Sequence, residues 1–337
     1  MRTAVRTVVL AAAGLGALLA IAAPSMADAT ATISMPCCVT DTVDLNGNVF
    51  VLAQEPPGPN PETPTLYRLD PATNTVTGSV TLPSGESSGG PYDTASMAAA
   101  AGSVWVVSYF QNKVLRINPS TMSVSATISP GRSPSSVVSD GRSLWVALNN
   151  DRAVVRVDPG TDRVAQTVRV GSKDTSDSPW QLAYDGTQVL ASMPSSGRVA
   201  RIDPSTGKVR YDAVGNAAAS CANLLPAPGG YWLDDSECSP FYYRWDAHRS
   251  RITTTLDPTS DLRHDWGAVV VGNALYTGEF DCTDTCTQGY VVKRDAVTGA
   301  EISQQTVPTE AFLPHVAAGS FWVADFDDAT LDRVAAF

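Results

Sequence analysis

The sequence repeats itself about every 40 to 45 residues, and this period constrains its fold more than any other feature. A short aromatic or aliphatic segment recurs seven times, bounded by Gly, Ser and Asn, with steps of 55, 40, 44, 43, 43 and 47 residues. The period is typical of a four-stranded β-propeller blade. The seven anchors are Phe50, Trp105, Trp145, Val189, Trp232, Leu275 and Trp322.

A second motif, Arg-x-Asp/Asn-Pro, recurs in phase with the first. Its Asp-Pro-x-Thr step predicts a hairpin turn, because Pro presets φ and the Asp side chain can accept hydrogen bonds from backbone N–H groups of the turn. We therefore expect these aspartates to be structural and the arginines to lie on blade faces. Full copies occupy residues 68–71, 116–119, 156–159 and 201–204, with weaker copies at 244–246 and 294–295.

The two ends of the chain predict how the ring closes. The last unit offers strands at 320–324 and 331–337 and stops one strand short, whereas residues 29–35 supply a strand with no blade before it. If that strand completes the last blade, no long free edge remains. The sequence therefore predicts an all-β, seven-bladed propeller as one domain over residues 28–337. Its blades are placed at 36–85, 86–130, 131–173, 174–217, 218–260, 261–308 and 309–337 plus 29–35.

The first 27 residues have the pattern of a secretory signal peptide. Arg2 and Arg6 precede a 16-residue apolar run, residues 8–23, and small residues lead to Ala27. The run is short for a membrane span, and no later stretch is longer, so we expect a secreted, extracellular monomer without a membrane span. With 34 acidic against 23 basic residues, a net charge of −11 argues against nucleic-acid partners, which require Lys and Arg at the phosphates.

Six cysteines, an even number, predict disulfides in an oxidising compartment. The start of the first strand and the end of the second are neighbours in an antiparallel ladder, so Cys221 is expected beside Cys238 in blade 5. Cys282 and Cys286 share the corresponding loop of blade 6. The adjacent Cys37 and Cys38 could form a vicinal disulfide, remain two free thiols, or pair with Cys221 or Cys238.

One blade carries a family resemblance. Residues 133–138 read Ser-Pro-Ser-Ser-Val-Val, residues 140–147 read Asp-Gly-Arg-Ser-Leu-Trp-Val-Ala, and Val-Arg-Val-Asp-Pro-Gly-Thr follows at 155–161. This repeat resembles that of the YncE-like (YVTN) and streptogramin-lyase-like propellers. The lyase family has a Pro-His pair on an inner strand, with a second His and an acidic metal-binding group nearby, and residues 314–315 match that pair. The resemblance implies a metal-assisted lyase or lactone-cleaving reaction that uses His315.

Propeller ligands usually occupy the mouth of the central funnel, where first-strand starts and the loops after second strands converge. The aromatic residues expected there could stack on a flat ligand or sugar, or could instead wedge between blades; they are Tyr92, Tyr109, Trp180 and Trp266. Asn149 is expected on the same face as a polar contact.

Two of the three histidines, His264 and His315, fall on this predicted face beside Asp265, Glu279 and Asp325. Histidine with carboxylates can bind a divalent cation or transfer a proton near neutral pH. The alternative is that each histidine only bonds the backbone of a neighbouring blade. Carboxylates of the rim could also bind calcium, or form only a solvated acidic rim; they are Asp325, Asp327 and Asp328, or Asp281 and Asp284.

These patterns lead to two hypotheses of different class. The first is a secreted propeller that recognises a small molecule, peptide or surface polymer such as a glycan at the funnel face. The alternative is a lyase or lactonase in which His315 acts as acid or base, while His264, Asp265 and Glu279 position the substrate or a divalent metal, Mg²⁺ or Ca²⁺. A pure interaction scaffold is a third possibility.

Overall fold

A computed structural model describes most of the chain between residues 31 and 337. The described residues are 31–35, 39–53, 63–83, 96–172, 177–214, 223–234, 241–257, 263–282, 286–307, 312–325 and 330–337. For residues 263–266, 282, 286–287, 312–314 and 325 the description covers the backbone alone. The predicted signal peptide lies outside it, as does most of residues 56–64, a segment with five prolines that the sequence predicts as an exposed loop inserted in blade 1.

Seven antiparallel four-stranded sheets make up this part of the chain. Blades 1 to 3 run in sequence order through β2 (Val39–Leu45), β3 (Asn48–Ala53), β4 (Thr65–Asp70), β5 (Thr75–Thr81), β6 (Met97–Ala100), β7 (Ser103–Ser108), β8 (Lys113–Asn118), β9 (Ser123–Ile128), β10 (Pro134–Ser139), β11 (Leu144–Leu148), β12 (Ala153–Asp158) and β13 (Arg163–Arg169). Each predicted blade range contains its four strands.

Blades 4 to 7 repeat this order, with one short 3-10 turn at Pro194–Ser196. Their strands are β14 (Leu182–Tyr184), β15 (Val189–Met193), β16 (Arg198–Ile202), β17 (Val209–Ala213), β18 (Asn223–Ala227), β19 (Gly230–Asp234), β20 (Tyr242–Asp246), β21 (Arg251–Leu256), β22 (Arg263–Val271), β23 (Ala274–Cys282), β24 (Cys286–Asp295), β25 (Glu301–Val307), β26 (Phe312–Ala317), β27 (Ser320–Asp325) and β28 (Thr330–Ala335). Among the residues described here, no helix is long and apolar enough to cross a membrane.

The ring closes as the sequence predicts. The strand β1 (Ala31–Ser34) pairs antiparallel with β28 and becomes the outer strand of blade 7. Ala31 lies opposite Arg333, and the Thr32 hydroxyl donates a hydrogen bond of 2.6 Å to Asp332 Oδ1. The first strands of successive blades contact one another around the whole ring, including β26 with β2. These first strands therefore surround the central axis, and the fold prediction is confirmed.

Buried aromatic residues on the second strands form much of the core between blades. Trp105, Trp145, Trp232 and Trp322 are fully buried, whereas outer strands such as β5 alternate towards solvent. The register revises two sequence anchors by one residue. Leu190 stands opposite Arg201 as Trp145 stands opposite Arg156. In blade 6, Tyr276 rather than Leu275 is the anchor, because Tyr276 stands opposite Lys293, whose ammonium lies over its ring at 5.9 Å as Arg116 lies over Trp105.

The arginines of the repeated motif join neighbouring blades. Arg68 Nη1 donates to the Pro119 carbonyl oxygen at 2.7 Å, which links blade 1 to blade 2. Arg116 contacts Pro159 and Arg156 contacts Pro204 in the same way, each at 3.2 Å, and Arg333 of blade 7 bonds Pro71 of blade 1. We call each such bond an arginine clasp. In these four blades the Arg binds the turn of the next blade, which explains why Arg and Pro recur in phase.

Candidate functional site

Two aromatic side chains predicted at the funnel meet across blade 3. Tyr109 follows β7 in blade 2, and Trp180 precedes β14 in blade 4, yet their ring centroids are 6.0 Å apart in an edge-to-face arrangement. Phe110 packs edge-on against Tyr109 at 5.1 Å. Both Tyr109 and Trp180 remain half-buried, so part of each ring faces solvent. We call this group the aromatic platform.

Polar groups of blade 3 hold the platform in place. The Ser135 hydroxyl donates to the Trp180 carbonyl oxygen at 2.7 Å. The Asn149 side-chain amide donates to Ser178 Oγ and to the Pro179 carbonyl oxygen, each at 3.2 Å. Asn149 therefore fixes the segment that carries Trp180, a supporting role that the sequence did not reveal.

His315 faces a carboxyl group that sequence reasoning missed. Its Nδ1 lies 3.8 Å from Oδ1 of Asp41, across the junction between blades 7 and 1. Asp41 accepts backbone N–H bonds from Thr42 and from Met97 of blade 2, both at 2.8 Å. Within the described part of the chain, His315 Nε2 and Thr42 Oγ1 are buried without hydrogen-bond partners.

Burial shifts both titrations at this junction. The two side chains are only 19% and 22% exposed, so each charged form has lost most of its water. Desolvation lowers the pKa of His315 to about 4. Desolvation raises the pKa of Asp41 to about 7, although its two N–H donors act in the opposite direction. Near pH 5 to 6 the imidazole is therefore neutral and the carboxyl protonated.

The predicted acidic ligands of blade 6, Asp265 and Glu279, lie on its first two strands. Glu279 is 1% exposed, and its Oε1 accepts bonds of 2.7 Å from both Thr277 Oγ1 and Arg294 Nη2. In the β22–β23 ladder Asp265 stands opposite Glu279, and His264 opposite Phe280. The side chains of His264, Asp265 and Trp266 are outside the description. The described side chains include no group of three or more His, Cys, Asp or Glu arranged to hold a metal ion.

Other predicted residues are placed only in part. Cys282 and Cys286 are direct partners in the β23–β24 ladder, and Asp325 ends β27 opposite Thr330; their side-chain atoms are not described. The remaining predicted residues fall outside the described ranges; they are Cys37, Cys38, Tyr92, Cys221, Cys238, Asp284, Asp327 and Asp328.

A cavity of about 330 Å³ lies between blades 4 and 5, where their first-to-second-strand turns approach each other. Within it, Tyr231 donates to Asp185 Oδ2 at 2.7 Å and accepts from Arg201 Nη2 at 2.9 Å. Arg201 here contacts side chains, whereas the corresponding arginines of blades 1, 2, 3 and 7 form arginine clasps. The sequence indicates this difference only through Ala247-His248, which stands in blade 5 where the full copies of the motif have Pro.

Neither a scan against protein-family models nor a search of curated proteins found a match for this sequence. Solved structures of the same fold are numerous. U3-55K is 8% identical over 90% of this chain and 98% of that chain, with a TM-score of 0.69. Streptogramin B lyase is 14% identical over 89% and 93%, with a TM-score of 0.59. BamB from Moraxella catarrhalis is 14% identical over 85% and 79%, with a TM-score of 0.54.

These structural similarities support the seven-bladed propeller fold, but at 8–14% identity they do not support a particular activity. Streptogramin B lyase is among the structural neighbours, so the resemblance stated from the sequence holds at the level of the fold. No sequence match supports the YncE-like family in particular. Because such folds host many functions, activity has to be argued from the site itself.

Proposed function

We propose that this chain is an exported propeller that binds a small molecule, peptide or glycan at the funnel, with the aromatic platform as its contact surface. The observation that carries the proposal is the meeting of Tyr109 and Trp180 above blade 3. Residues of three blades hold these two half-buried rings together, whereas the large tryptophans of the core are fully buried.

The chemistry of the platform favours neutral ligands with a flat or apolar face. Aromatic rings supply large contact areas, and the hydroxyl of Tyr109 adds one polar contact. The chain carries a net charge of −11, so long-range attraction favours neutral or cationic partners over anionic ones.

The test is a binding screen of glycans, peptides and cyclic depsipeptides by calorimetry. Trp180→Ala should weaken binding of any hit by at least about tenfold, in line with the loss of one stacking contact. Tyr211→Ala is the matched control, since it removes a 42%-exposed aromatic ring from the outer strand of blade 4. Equal affinities for the wild type and the Trp180 variant would place the ligand elsewhere.

A second candidate function is a lyase or lactone-cleaving activity centred on His315, assisted by Mg²⁺ or Ca²⁺. It is favoured by the buried, unpartnered Nε2 of His315, since a ring nitrogen without a protein partner can receive or donate a substrate proton. His264, Asp265, Glu279 and Asp325 are the proposed metal or substrate contacts. Turnover of lactones that is lost in His315→Ala and kept in His248→Ala would support this function; equal turnover in both variants would refute it.

We also propose export through cleavage after Ala27, with disulfides formed outside the cytoplasm. Mass spectrometry of the secreted protein should give a chain that begins at Asp28. Non-reducing peptide mapping should recover Cys282 and Cys286 in one cross-linked peptide. A chain that retains residues 1–27 would contradict the export proposal.

A further inference from the structure

We propose that Asp41 is the proton-exchange partner of His315, and that the two form an acid–base site at the central junction of blades 7 and 1. The site would take a neutral ligand group that carries an exchangeable proton, such as a hydroxyl or an amide. The proposal rests on the second candidate function above and names a residue for it that no sequence pattern indicated.

The register around the ring identifies His315 as an exception. It lies on the first strand of blade 7, directly opposite the anchor Trp322. In the other six blades the residue opposite the anchor is apolar. These residues are Val43, Ala98, Val138, Ala183, Leu225 and Val269. An imidazole at this position is not required by the propeller fold.

Asp41 is an exception in a narrower sense, as a carboxyl on a first strand where blades 2 and 3 carry Ser. Asp41 Oδ2 accepts the N–H of Met97 in the next blade. The equivalent N–H of blade 6, that of Ala268, is accepted by a second-strand carboxylate, Asp234 Oδ2, at 3.1 Å. The equivalent bonds of blades 2 and 3 are accepted by the hydroxyls of Ser96 and Ser136, each at 3.1 Å. A hydroxyl is therefore sufficient to link adjacent first strands, and the fold does not require a carboxyl there. Both exceptions occur at one junction and face each other.

The unpartnered atoms lie at the same junction. Residues directly opposite in an antiparallel ladder point to the same face of the sheet. Thr42 lies opposite Val51, and His315 lies opposite Trp322. Val51 and Trp322 belong to one core cluster between blades 1 and 7. Thr42 and His315 therefore project into one interface, where a water or a ligand hydroxyl could satisfy Oγ1 and Nε2 together.

Few other charges act on the pair. The strands β3 and β6 beside β2 carry no titratable side chain, and Asp44 on β2 itself is exposed. Around β26, Glu279 is paired with Arg294, and Asp281 accepts from Tyr290. Tyr276 of β23 donates its hydroxyl to the Phe337 carbonyl oxygen. The remaining titratable groups of these neighbouring strands, whose side chains are not described, are Arg263, His264, Asp265, Cys282 and Asp325.

The proton transfer balances within the pair. Nε2–H gives its proton to the ligand while Nδ1 takes the proton of the Asp41 carboxyl, so two bonds to hydrogen break and two form without any redox partner. The reverse direction removes a proton from the ligand. The 3.8 Å between Nδ1 and Oδ1 exceeds a direct hydrogen bond by roughly 0.6–1 Å, which a small side-chain movement or one water can bridge.

The test is an NMR titration of the ligand-free chain labelled with ¹³C at histidine Cε1. His315→Ala assigns the resonance. In the wild type we expect this signal to titrate below pH 5 and to show a second inflection near pH 7, when the neighbouring carboxyl ionises. Asp41→Asn should remove the second inflection, and the matched control Asp44→Asn should keep it. If the Asn variant does not fold, Asp41→Ser uses the residue that blades 2 and 3 carry at this position.

A His315 signal that titrates as a single step near pH 6.5, or an inflection near pH 7 that persists without the Asp41 carboxyl, would overturn the pairing. Because no substrate is present, this result is independent of the lactone screen. A negative screen with a positive titration would refute the proposed reaction and leave the proton-exchange pair in place.

Discussion

The clasp that closes the ring offers the sharpest test of how the repeats stabilise the fold. Arg333 is 6% exposed and donates to Pro71 O, to Asn74 Oδ1 at 2.8 Å and to Ser320 Oγ at 2.9 Å, above the Trp322 ring at 5.5 Å. Arg333→Met keeps the aliphatic stem over the ring and removes these three hydrogen bonds. The acceptors of blade 1 then lose their charged partner in a largely buried setting.

The expected loss follows from these contacts. Hydrogen bonds to a charged group contribute about 1.5–3 kcal/mol each, and solvation or repacking recovers part of this, so we expect a net loss on the order of 3–4 kcal/mol. With an unfolding entropy of about 2.1 cal/mol/K per residue, a domain of roughly 300 residues would melt about 5–6 °C lower. Calorimetry at pH 7 measures this shift directly.

The control is Arg68→Met, which removes the same clasp between blades 1 and 2, where most of the bonds are solvent-exposed. Water can replace exposed bonds, so this variant should lose no more than about 1 kcal/mol. Equal shifts for the two variants, or a shift below about 1 °C for Arg333→Met, would refute the view that the buried clasp seals the ring.

Three further predictions concern pH, the platform and the last blade. The pKa of Asp41 is about 7 in the fold against 3.8 unfolded, so its contribution to stability is present at low pH and is lost as pH rises towards 7. The upper bound on this loss of unfolding free energy is about 4 kcal/mol. Urea titrations should show a flatter pH dependence of stability for Asp41→Asn than for the wild type, and an unchanged slope would contradict this. Ser135→Ala should weaken ligand binding severalfold without changing the melting temperature, because it frees only the Trp180 carbonyl; a full loss of folding would show that the bond is structural. Lys293→Met should lower the melting temperature by about 1–3 °C, since Lys293 Nζ donates to the Phe337 carbonyl oxygen at 2.6 Å; no shift would mean that this bond adds nothing.

The fold could be predicted from the sequence because its signals are local. The Asp-Pro turns form as the motif predicts: the Asp203 carboxylate accepts backbone N–H bonds from Ser205 and Thr206, and with the Ser205 hydroxyl these bonds lower its pKa. Anchor spacing was sufficient to count the blades. It failed by one residue at Leu190 and Tyr276, because neither blade has a tryptophan to mark the position.

The candidate site could be predicted only in part. Tyr109 and Trp180 were assigned to the funnel from their places after and before strands, and the structure brings them together. Nothing in the spacing indicated that Asn149 would support Trp180, because that bond depends on the path of the segment between blades 3 and 4. The roles of His264, Asp265 and Asp325 as metal or substrate contacts stay predictions.

The sequence alone determined the number of blades, the turns and the closing strand, since each depends on residues a few positions apart or on a regular period. The tertiary structure decided which polar side chains face one another. Asp41 and His315 lie near opposite ends of the chain, and no sequence motif contains both. Only closure of the ring sets blade 7 beside blade 1, and only burial at that junction shifts their pKa values in opposite directions.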